Sequence, residues 1–184
     1  MTPIQSCIVN KNNTKNPIWF MRQAGRYLPE FREIRSQNQN FIDLCLNSEL
    51  SSEITLQPMK RFNLDSAIIF SDILLVPYAL SQKVEFLKSQ GPILEDFNLK
   101  KFLNNDNISF TKKLRPVYKA IKQTREKLNE KKSLIGFIGA PWTLLIYMLG
   151  AKNNKEKINY RKIKTKELEV YLILDKLNDY LCIH

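Results

Sequence analysis

The sequence predicts an α/β protein in which strands and helices alternate along the chain. Three short apolar runs, residues 17–21, 66–71 and 133–139, are nearly continuous in hydrophobicity, which is typical of strands buried on both faces of a parallel sheet. Helical patterns lie between them, so the order predicts βαβ units of a doubly wound sheet or a (β/α) barrel. No G-x-G-x-x-G follows the first strand, which disfavours a dinucleotide-binding version.

The helices are predicted from apolar side chains at helical spacing. Residues 48–62 place Leu50 and Ile54 on one face and contain Pro58 as an expected kink. Two further stripes follow the helical period, with members Leu114, Val117, Tyr118, Ile121 and Leu128 in one and Val170, Leu174, Leu177 and Leu181 in the other.

Polar residues mark the expected ends and connections of these helices. Thr165 is the expected N-cap of the last helix. Residues 103–109 and 152–159 are rich in Asn and Lys and are predicted to be loops.

Composition bounds the class of protein. The chain has 184 residues, 43% of them hydrophobic, which fits one globular domain and disfavours disorder. Three scattered cysteines give neither a disulfide framework nor a zinc pattern and favour a cytoplasmic setting.

The net charge of +11 comes entirely from residues 100–184, because residues 1–99 hold 10 basic and 10 acidic side chains. This surplus leaves a basic nucleic-acid-binding module as an alternative function. The lysines are spread out rather than clustered with aromatic residues, so a solvated surface is the preferred interpretation.

One segment could instead cross a membrane. Residues 133–151 carry no charge over 19 positions, which is long enough for a span. Pro141 and the glycines within the segment favour a strand, a turn at Ala140–Pro141 and a helix from Trp142. The sequence therefore predicts no membrane association.

Candidate site residues follow the three apolar runs, where the carboxyl ends of parallel strands would meet. Arg22 and Arg26 are four residues apart, and two guanidinium groups on one face suit the binding of carboxylates. Gly25 between them allows close backbone approach. The alternative is a surface pair balanced by Glu30 and Glu33.

Two further candidates come from the second and third runs. Asp72 lies among apolar residues and would bind a cationic or N–H-bearing group, act as an acid or base, or cap the next turn. Tyr147 is either a ligand or a core residue. The only histidine, His184, is the last residue and is expected to fray.

Three motifs in order resemble the uroporphyrinogen decarboxylase family of haem biosynthesis. They are FMRQAGRYLPE at residues 20–30, FSDIL at 70–74 and GAPWTL at 139–144, and the resemblance covers about residues 15–150. It implies the first three or so β/α units of a (β/α)8 TIM barrel. Residues 1–184 would form a single incomplete domain with a divergent tail from residue 151.

The resemblance implies a cytoplasmic carboxy-lyase that converts uroporphyrinogen to coproporphyrinogen by removing four molecules of CO2, without metal or organic cofactor. It implies catalytic roles for Asp72 and Arg22. The substrate-binding residues implied by the motifs are Arg22, Gln23, Ala24, Gly25, Arg26, Arg35, Asp72 and Tyr147. The expected partners are the tetrapyrrole substrate and either a second copy or a complementing second-half fragment.

The sequence also departs from the family pattern. A whole barrel takes around 250 residues, and only three strands are predicted here. His184 does not lie in the family's histidine motif. A partial barrel exposes sheet edges, so the chain alone is expected to be a truncated form with little activity, or an inactive fragment.

Overall fold

The computed structural model describes residues 1–10, 16–87, 91–151, 159, 163 and 167–184. Its helices are α1 (Pro3–Asn10), α2 (Pro29–Gln37), α3 (Phe41–Cys45), α4 (Ser48–Arg61), α5 (Leu75–Ala79), α6 (Leu99–Leu103), α7 (Asn107–Lys127), α8 (Pro141–Met148) and α9 (Glu167–Ile183). Its strands are β1 (Ser66–Ile68), β2 (Val84–Leu87), β3 (Gly91–Leu94) and β4 (Ser133–Ile135). The predicted α/β class is confirmed.

The chain divides into two units. The first consists of Met1–Ser71 and Pro116–Phe137, and the second of Asp72–Arg115 and Ile138–His184. Helix α7 contributes residues to both.

The sheet of the first unit pairs β1 with β4 in parallel. Ser66 lies opposite Ser133 and Ile68 opposite Ile135, and the Ile69 N–H donates to the Ile135 carbonyl at 3.0 Å. The strands predicted at 66–71 and 133–139 are therefore present in shorter form. Parallel pairing agrees with a βαβ unit, while the barrel itself stays a prediction because the described strands close no sheet.

The prediction of a strand over residues 17–21 is wrong, because the structure has no strand in this stretch. Within this described run, Ile18 alone bonds to the segment just before β1, donating from its N–H to Asp65 Oδ2 at 2.7 Å and accepting from the Asp65 N–H at 2.8 Å. Trp19, Phe20 and Met21 are exposed. An apolar run forms a strand only where a neighbour supplies a continuing ladder, and among the described residues none does so here.

The core of the first unit forms beneath α2 and α4. Asn47 caps α4 by accepting the Leu50 N–H at 3.1 Å, and Pro58 lies inside the helix. The helix predicted at 48–62 is thus confirmed. Its inner face contributes Ile54 to a buried cluster with Leu28, Phe31 and Leu44, and burying such side chains is the main stabilising contribution.

Helix α7 begins earlier than the sequence predicted. Asp106 accepts the Ser109 N–H at 2.8 Å through its side chain, which caps the helix within the stretch predicted as a loop. Of the predicted stripe, Leu114, Val117 and Leu128 are buried, whereas Ile121 is exposed. The predicted loop at 152–159 and the N-cap Thr165 lie outside the described residues, apart from Asn159.

The second unit contains an antiparallel hairpin that the sequence analysis missed. Strands β2 and β3 pair Val84 with Leu94 and Leu87 with Gly91, whose φ of 78° favours glycine. Helices α8 and α9 pack together, and α9 buries Val170, Leu177 and Leu181 of its predicted stripe.

The uncharged segment 133–151 divides into β4 and α8, as the preferred interpretation predicted. In the ranges that the structure describes, no helix combines the length and apolar character needed to cross a membrane.

Candidate active site

The arginine loop, residues 20–28, precedes α2 and is held to the first unit mainly by Gln23. The Gln23 side chain is buried, donates from Nε2 to the Ser66 carbonyl at 2.8 Å and accepts the Phe20 N–H at 3.2 Å. Leu28 closes the loop by donating its N–H to the Gly25 carbonyl at 3.0 Å and burying its side chain. The loop is therefore tied to β1 at one end and to the core at the other.

Two further side chains fix the loop backbone. The Tyr27 hydroxyl donates to the Gln23 carbonyl, and burial raises the pKa of this hydroxyl, so it remains a neutral donor. Arg32 Nη1 donates to the carbonyls of Arg26 at 2.8 Å and Tyr27 at 3.1 Å. The sequence analysis missed these two roles, because bonds to backbone carbonyls leave no signal in residue spacing.

The side chains of Arg22 and Arg26 are exposed on this fixed backbone. Within the described residues, no side-chain hydrogen bond or ion pair holds either guanidinium. The alternative interpretation balanced them with Glu30 and Glu33. Glu30 is bound by Arg61 instead, with Nε to Oε1 at 2.6 Å and Nη2 to Oε2 at 2.9 Å, and Glu33 pairs with neither arginine in this part of the structure. Two cations on one short loop thus lack the expected counter-charge, which is typical of an anion-binding surface.

The remaining loop candidates are small. Ala24 packs against the buried cluster beneath α2, and a Cβ at Gly25 would meet no atom within 4 Å. No protein contact therefore requires glycine at position 25, and its surroundings leave space for a ligand to reach the backbone.

Arg35 lies in the last turn of α2, and its side chain binds the backbone that directly follows this helix. Its Nη1 donates to the carbonyls of Asn38 and, at 2.7 Å, of Gln39. Its guanidinium carbon lies 5.7 Å from the centre of the Phe41 ring, within cation–π range. These contacts give Arg35 a structural role in holding the chain after α2. Among its described contacts, Nε and Nη2 donate to no group, so they remain as donors for a ligand.

Asp72 opens the second unit, before α5. Its Oδ1 accepts the Leu74 N–H at 2.8 Å, so the capping role that the sequence analysis left open is present. Burial among apolar residues raises the pKa of the carboxyl, and the hydrogen bond from Leu74 opposes this rise only in part. In the described part of the chain, Oδ2 has no hydrogen-bond donor.

Tyr147 lies in the last turns of α8, in the second unit, and is half-buried. The candidates thus fall into two groups. Arg22, Gln23, Ala24, Gly25, Arg26 and Arg35 belong to the first unit, whereas Asp72 and Tyr147 belong to the second.

His184 is not frayed, contrary to expectation. Its N–H donates to the Tyr180 carbonyl at 3.0 Å, and its ring packs edge-on against Phe110 with centroids 6.3 Å apart. Burial lowers the pKa of the imidazole. Among the described residues, no group of three His, Cys, Asp or Glu side chains is arranged to hold a metal ion.

Comparison with solved structures supports the α/β fold. A methyltransferase from Methanosarcina mazei superimposes with a TM-score of 0.65 over 96% of this chain and 51% of its own length. The sequences are 14% identical, so the likeness concerns the fold alone.

The sequence comparisons define the family. The family profile described as uroporphyrinogen decarboxylase (URO-D) matches residues 2–183, which extends beyond the motif-bearing stretch 15–150. Uroporphyrinogen decarboxylases of Rickettsia felis and Rickettsia conorii are 44% and 45% identical over 179 and 176 residues. The chain belongs to the uroporphyrinogen decarboxylase family.

These matches cover 94% and 92% of this chain but 51% of each relative. The chain therefore spans about half the length of the curated relatives it matches.

Proposed function

We propose that the chain contributes the arginine loop and the aspartate of a uroporphyrinogen decarboxylase, a carboxy-lyase of haem biosynthesis. The observation that carries the proposal is the pair of exposed guanidiniums, Arg22 and Arg26, without a described acidic partner on a fixed loop. Family membership supplies the reaction: four acetate side chains of uroporphyrinogen lose CO2 and become the methyl groups of coproporphyrinogen. The remaining length of the family, continuing this chain or supplied by another, would complete a partial (β/α)8 barrel.

The substrate carries eight carboxylates, and the arginine loop would bind some of them. Guanidinium groups bind carboxylates in a two-point geometry that an ammonium group cannot offer. Arg22 and Arg26 would supply these contacts, and backbone N–H groups from Gln23 to Gly25 would face the same anions. Arg35 would reach a further carboxylate through its remaining donors.

Asp72 would stabilise the charge that forms during the reaction. Its carboxylate would accept hydrogen bonds from the pyrrole N–H groups at the centre of the macrocycle. A ring carbon takes up a proton, directed by Arg22, and the pyrrole becomes a cation. The bond to the carboxylate carbon then breaks, CO2 leaves, and the electron pair neutralises the ring. A second proton completes the methyl group as the first leaves the ring.

This chemistry explains why an aspartate suits the position. A carboxylate stabilises the pyrrole cation more than the neutral ground state, and that difference lowers the barrier. Its partly buried setting strengthens the interaction, because the local dielectric is low. The ring itself is the electron sink, so the step requires no cofactor.

The other elements of the proposal concern the surroundings of the site. Tyr147 would hydrogen-bond a further substrate carboxylate. The chain would act in the cytoplasm, as one incomplete domain that pairs with a second copy or with a fragment supplying the second half of the barrel.

The test combines the chain with the second half of the Rickettsia felis relative and measures CO2 release from uroporphyrinogen. Turnover by this assembly is expected, with Asp72→Ala abolishing it and Arg22→Ala with Arg26→Ala raising KM by about a hundredfold, since two charge-assisted bonds are lost. Arg115→Ala is the matched control, because Arg115 is an exposed arginine on α7 outside the loop. Full activity of the double arginine variant would overturn the proposal.

A further inference from the structure

Gln23 lies in the middle of the arginine loop, yet its side chain points into the protein. It is only 3% exposed. Its Nε2 contacts the Ser66 carbonyl at 2.8 Å and Met59 Sδ at 3.8 Å, and its Oε1 accepts the Phe20 N–H at 3.2 Å. The amide therefore has protein partners on both its nitrogen and its oxygen.

We propose that the Gln23 side chain is a positioning residue, which ties the arginine loop to β1 and so fixes where Arg22 and Arg26 present their charges. This inference rests on the proposed function and deepens it. A substrate carboxylate would meet Gln23 through its backbone N–H, while the side chain acts only through the two arginines.

The loop needs such an anchor because its two cationic side chains repel each other. Two guanidiniums on a free loop would move apart, and a polyanionic ligand would have to bring them back at a cost in conformational entropy. The bond from Gln23 to Ser66 anchors the first part of the loop, next to Arg22. Arg32 anchors the second part through the carbonyls of Arg26 and Tyr27.

Ser66 is a suitable anchor point because it belongs to a strand. It lies in β1, opposite Ser133 of β4 in the parallel ladder, and its own side chain is buried. A bond to a strand carbonyl fixes the loop to a backbone that is itself paired in the sheet of the first unit. Sites carried on strands and helices are more precise than sites on unsupported loops.

A second buried glutamine provides a control that distinguishes a positioning role of Gln23 from an effect of burial alone. Gln57 of α4 lies in the same unit and is 4% exposed, but neither its Nε2 nor its Oε1 has a hydrogen-bond partner among the described residues. If burial alone explained Gln23, replacing either glutamine by the similarly sized methionine would have the same effect. The proposal predicts different effects.

The test compares Gln23→Met with Gln57→Met in the otherwise unchanged chain. Amide hydrogen exchange of residues 20–28 is expected to accelerate about tenfold in Gln23→Met and to stay unchanged in Gln57→Met. The affinity for uroporphyrin, a stable macrocyclic octacarboxylate, is expected to fall about tenfold in Gln23→Met alone. Equal exchange and equal affinity in the two variants would overturn the proposal.

A third variant, Gln23→Glu, supplies a reversible version of the same test. When protonated, the introduced carboxyl can donate to the Ser66 carbonyl and accept from the Phe20 N–H, as the glutamine does. When ionised, it faces the Ser66 carbonyl without a donor. Affinity relative to the unmodified chain is therefore expected to be near normal at low pH and to fall as the pH rises, whereas a constant ratio would contradict the positioning role.

The two levels of the proposal can fail separately. If the unmodified chain, assembled with the second half of the Rickettsia felis relative, does not bind uroporphyrin, the proposed function fails, and hydrogen exchange alone decides whether Gln23 fixes the loop. If the unmodified chain binds uroporphyrin and Gln23→Met binds it equally well, the proposed function stands and the positioning role is refuted.

Discussion

Arg61 binds both carboxylate oxygens of Glu30, at 2.6 Å and 2.9 Å. Glu30 ends the motif that contains the arginine loop, and it is one of the two acidic residues, with Glu33, that sequence alone would assign to Arg22 and Arg26. Glu30 is engaged with Arg61, and within the described ranges Glu33 forms no ion pair with either arginine, so both arginines remain for another anion. Under the proposed function, the ion pair would support the site indirectly, by occupying a carboxylate that would otherwise compete with the substrate.

Replacing Arg61 by alanine is expected to raise the pKa of Glu30 toward its ordinary value, although a backbone hydrogen bond and Arg32 still lower it. Hydrogen bonding to Arg61 is the main cause that lowers this pKa in the folded chain. The pair stabilises the fold at a pH above the unfolded-state pKa of Glu30, and this contribution disappears as the pH falls through the lowered value. An NMR titration of the Glu30 carboxyl measures the change.

Lys60→Ala is the matched control for this titration, since Lys60 neighbours Arg61 but does not contact Glu30 in the structure. An unchanged Glu30 titration in Arg61→Ala would show that the ion pair does not form in solution.

Phe31 is expected to be a main contributor to the stability of the first unit. It is buried in the cluster beneath α2, and its ring packs edge-on against Phe70 with centroids 5.8 Å apart. Phe31→Ala should lower the free energy of unfolding by about 3–5 kcal/mol through lost burial and a cavity. Urea unfolding measures this loss.

Phe20→Ala provides the comparison, because Phe20 is 61% exposed although its backbone belongs to the arginine loop. Its expected effect is within about 0.5 kcal/mol. Equal losses from the two phenylalanine variants would mean that the described core is wrong.

Helices α4, α7, α8 and α9 and the parallel strand pair were predictable, because their signals are local, whereas the other described helices were not predicted. Leu50 and Ile54 mark the inner face of α4 by their spacing, and the apolar runs around Ala67 and Leu134 form β1 and β4. The run at 17–21 carried the same signal and failed. Whether such a run becomes a strand depends on a neighbour that its own sequence does not specify.

The residues of the arginine loop were predictable, but its support was not. Spacing and the resemblance both indicated Arg22 and Arg26, while the structural roles of Gln23 and Arg32 depend on contacts with Ser66 and with backbone carbonyls. Such contacts join residues far apart in sequence or involve groups that every residue carries. The hairpin β2–β3 has a weak signal in the sequence, the alternation of Val84, Glu85 and Phe86.

Tyr180 is expected to stabilise the second unit through both its ring and its hydroxyl. The hydroxyl donates to the Asn105 carbonyl at 2.6 Å, and the ring packs against Phe110 with centroids 4.8 Å apart. Tyr180→Phe removes only the hydrogen bond and should cost about 1 kcal/mol in thermal or chemical unfolding. Tyr171→Phe, at an exposed position of the same helix, should cost nothing measurable, and equal losses would argue against the bond to Asn105.

The pH dependence of the free energy of unfolding tests the environment of Asp72 independently of any catalytic role. Because burial raises its pKa, the folded chain holds the proton more tightly than the unfolded chain. The wild-type chain therefore loses free energy of unfolding as the pH rises from the ordinary value of 3.8 through the raised one. Asp72→Asn keeps an acceptor for the Leu74 N–H and removes the buried charge, so its stability relative to wild type should be greater near about pH 7 than near about pH 3.5.

Denaturant unfolding of the wild-type chain and Asp72→Asn at both pH values measures this difference, with Asp72→Ala as the comparison. The alanine variant also removes the charge but leaves the Leu74 N–H without its acceptor, which costs about 1 kcal/mol at either pH. A pH-independent difference between wild type and Asp72→Asn would show that Asp72 is solvated in the folded chain. The carboxylate would then lack the low-dielectric setting that its proposed stabilisation of a pyrrole cation requires.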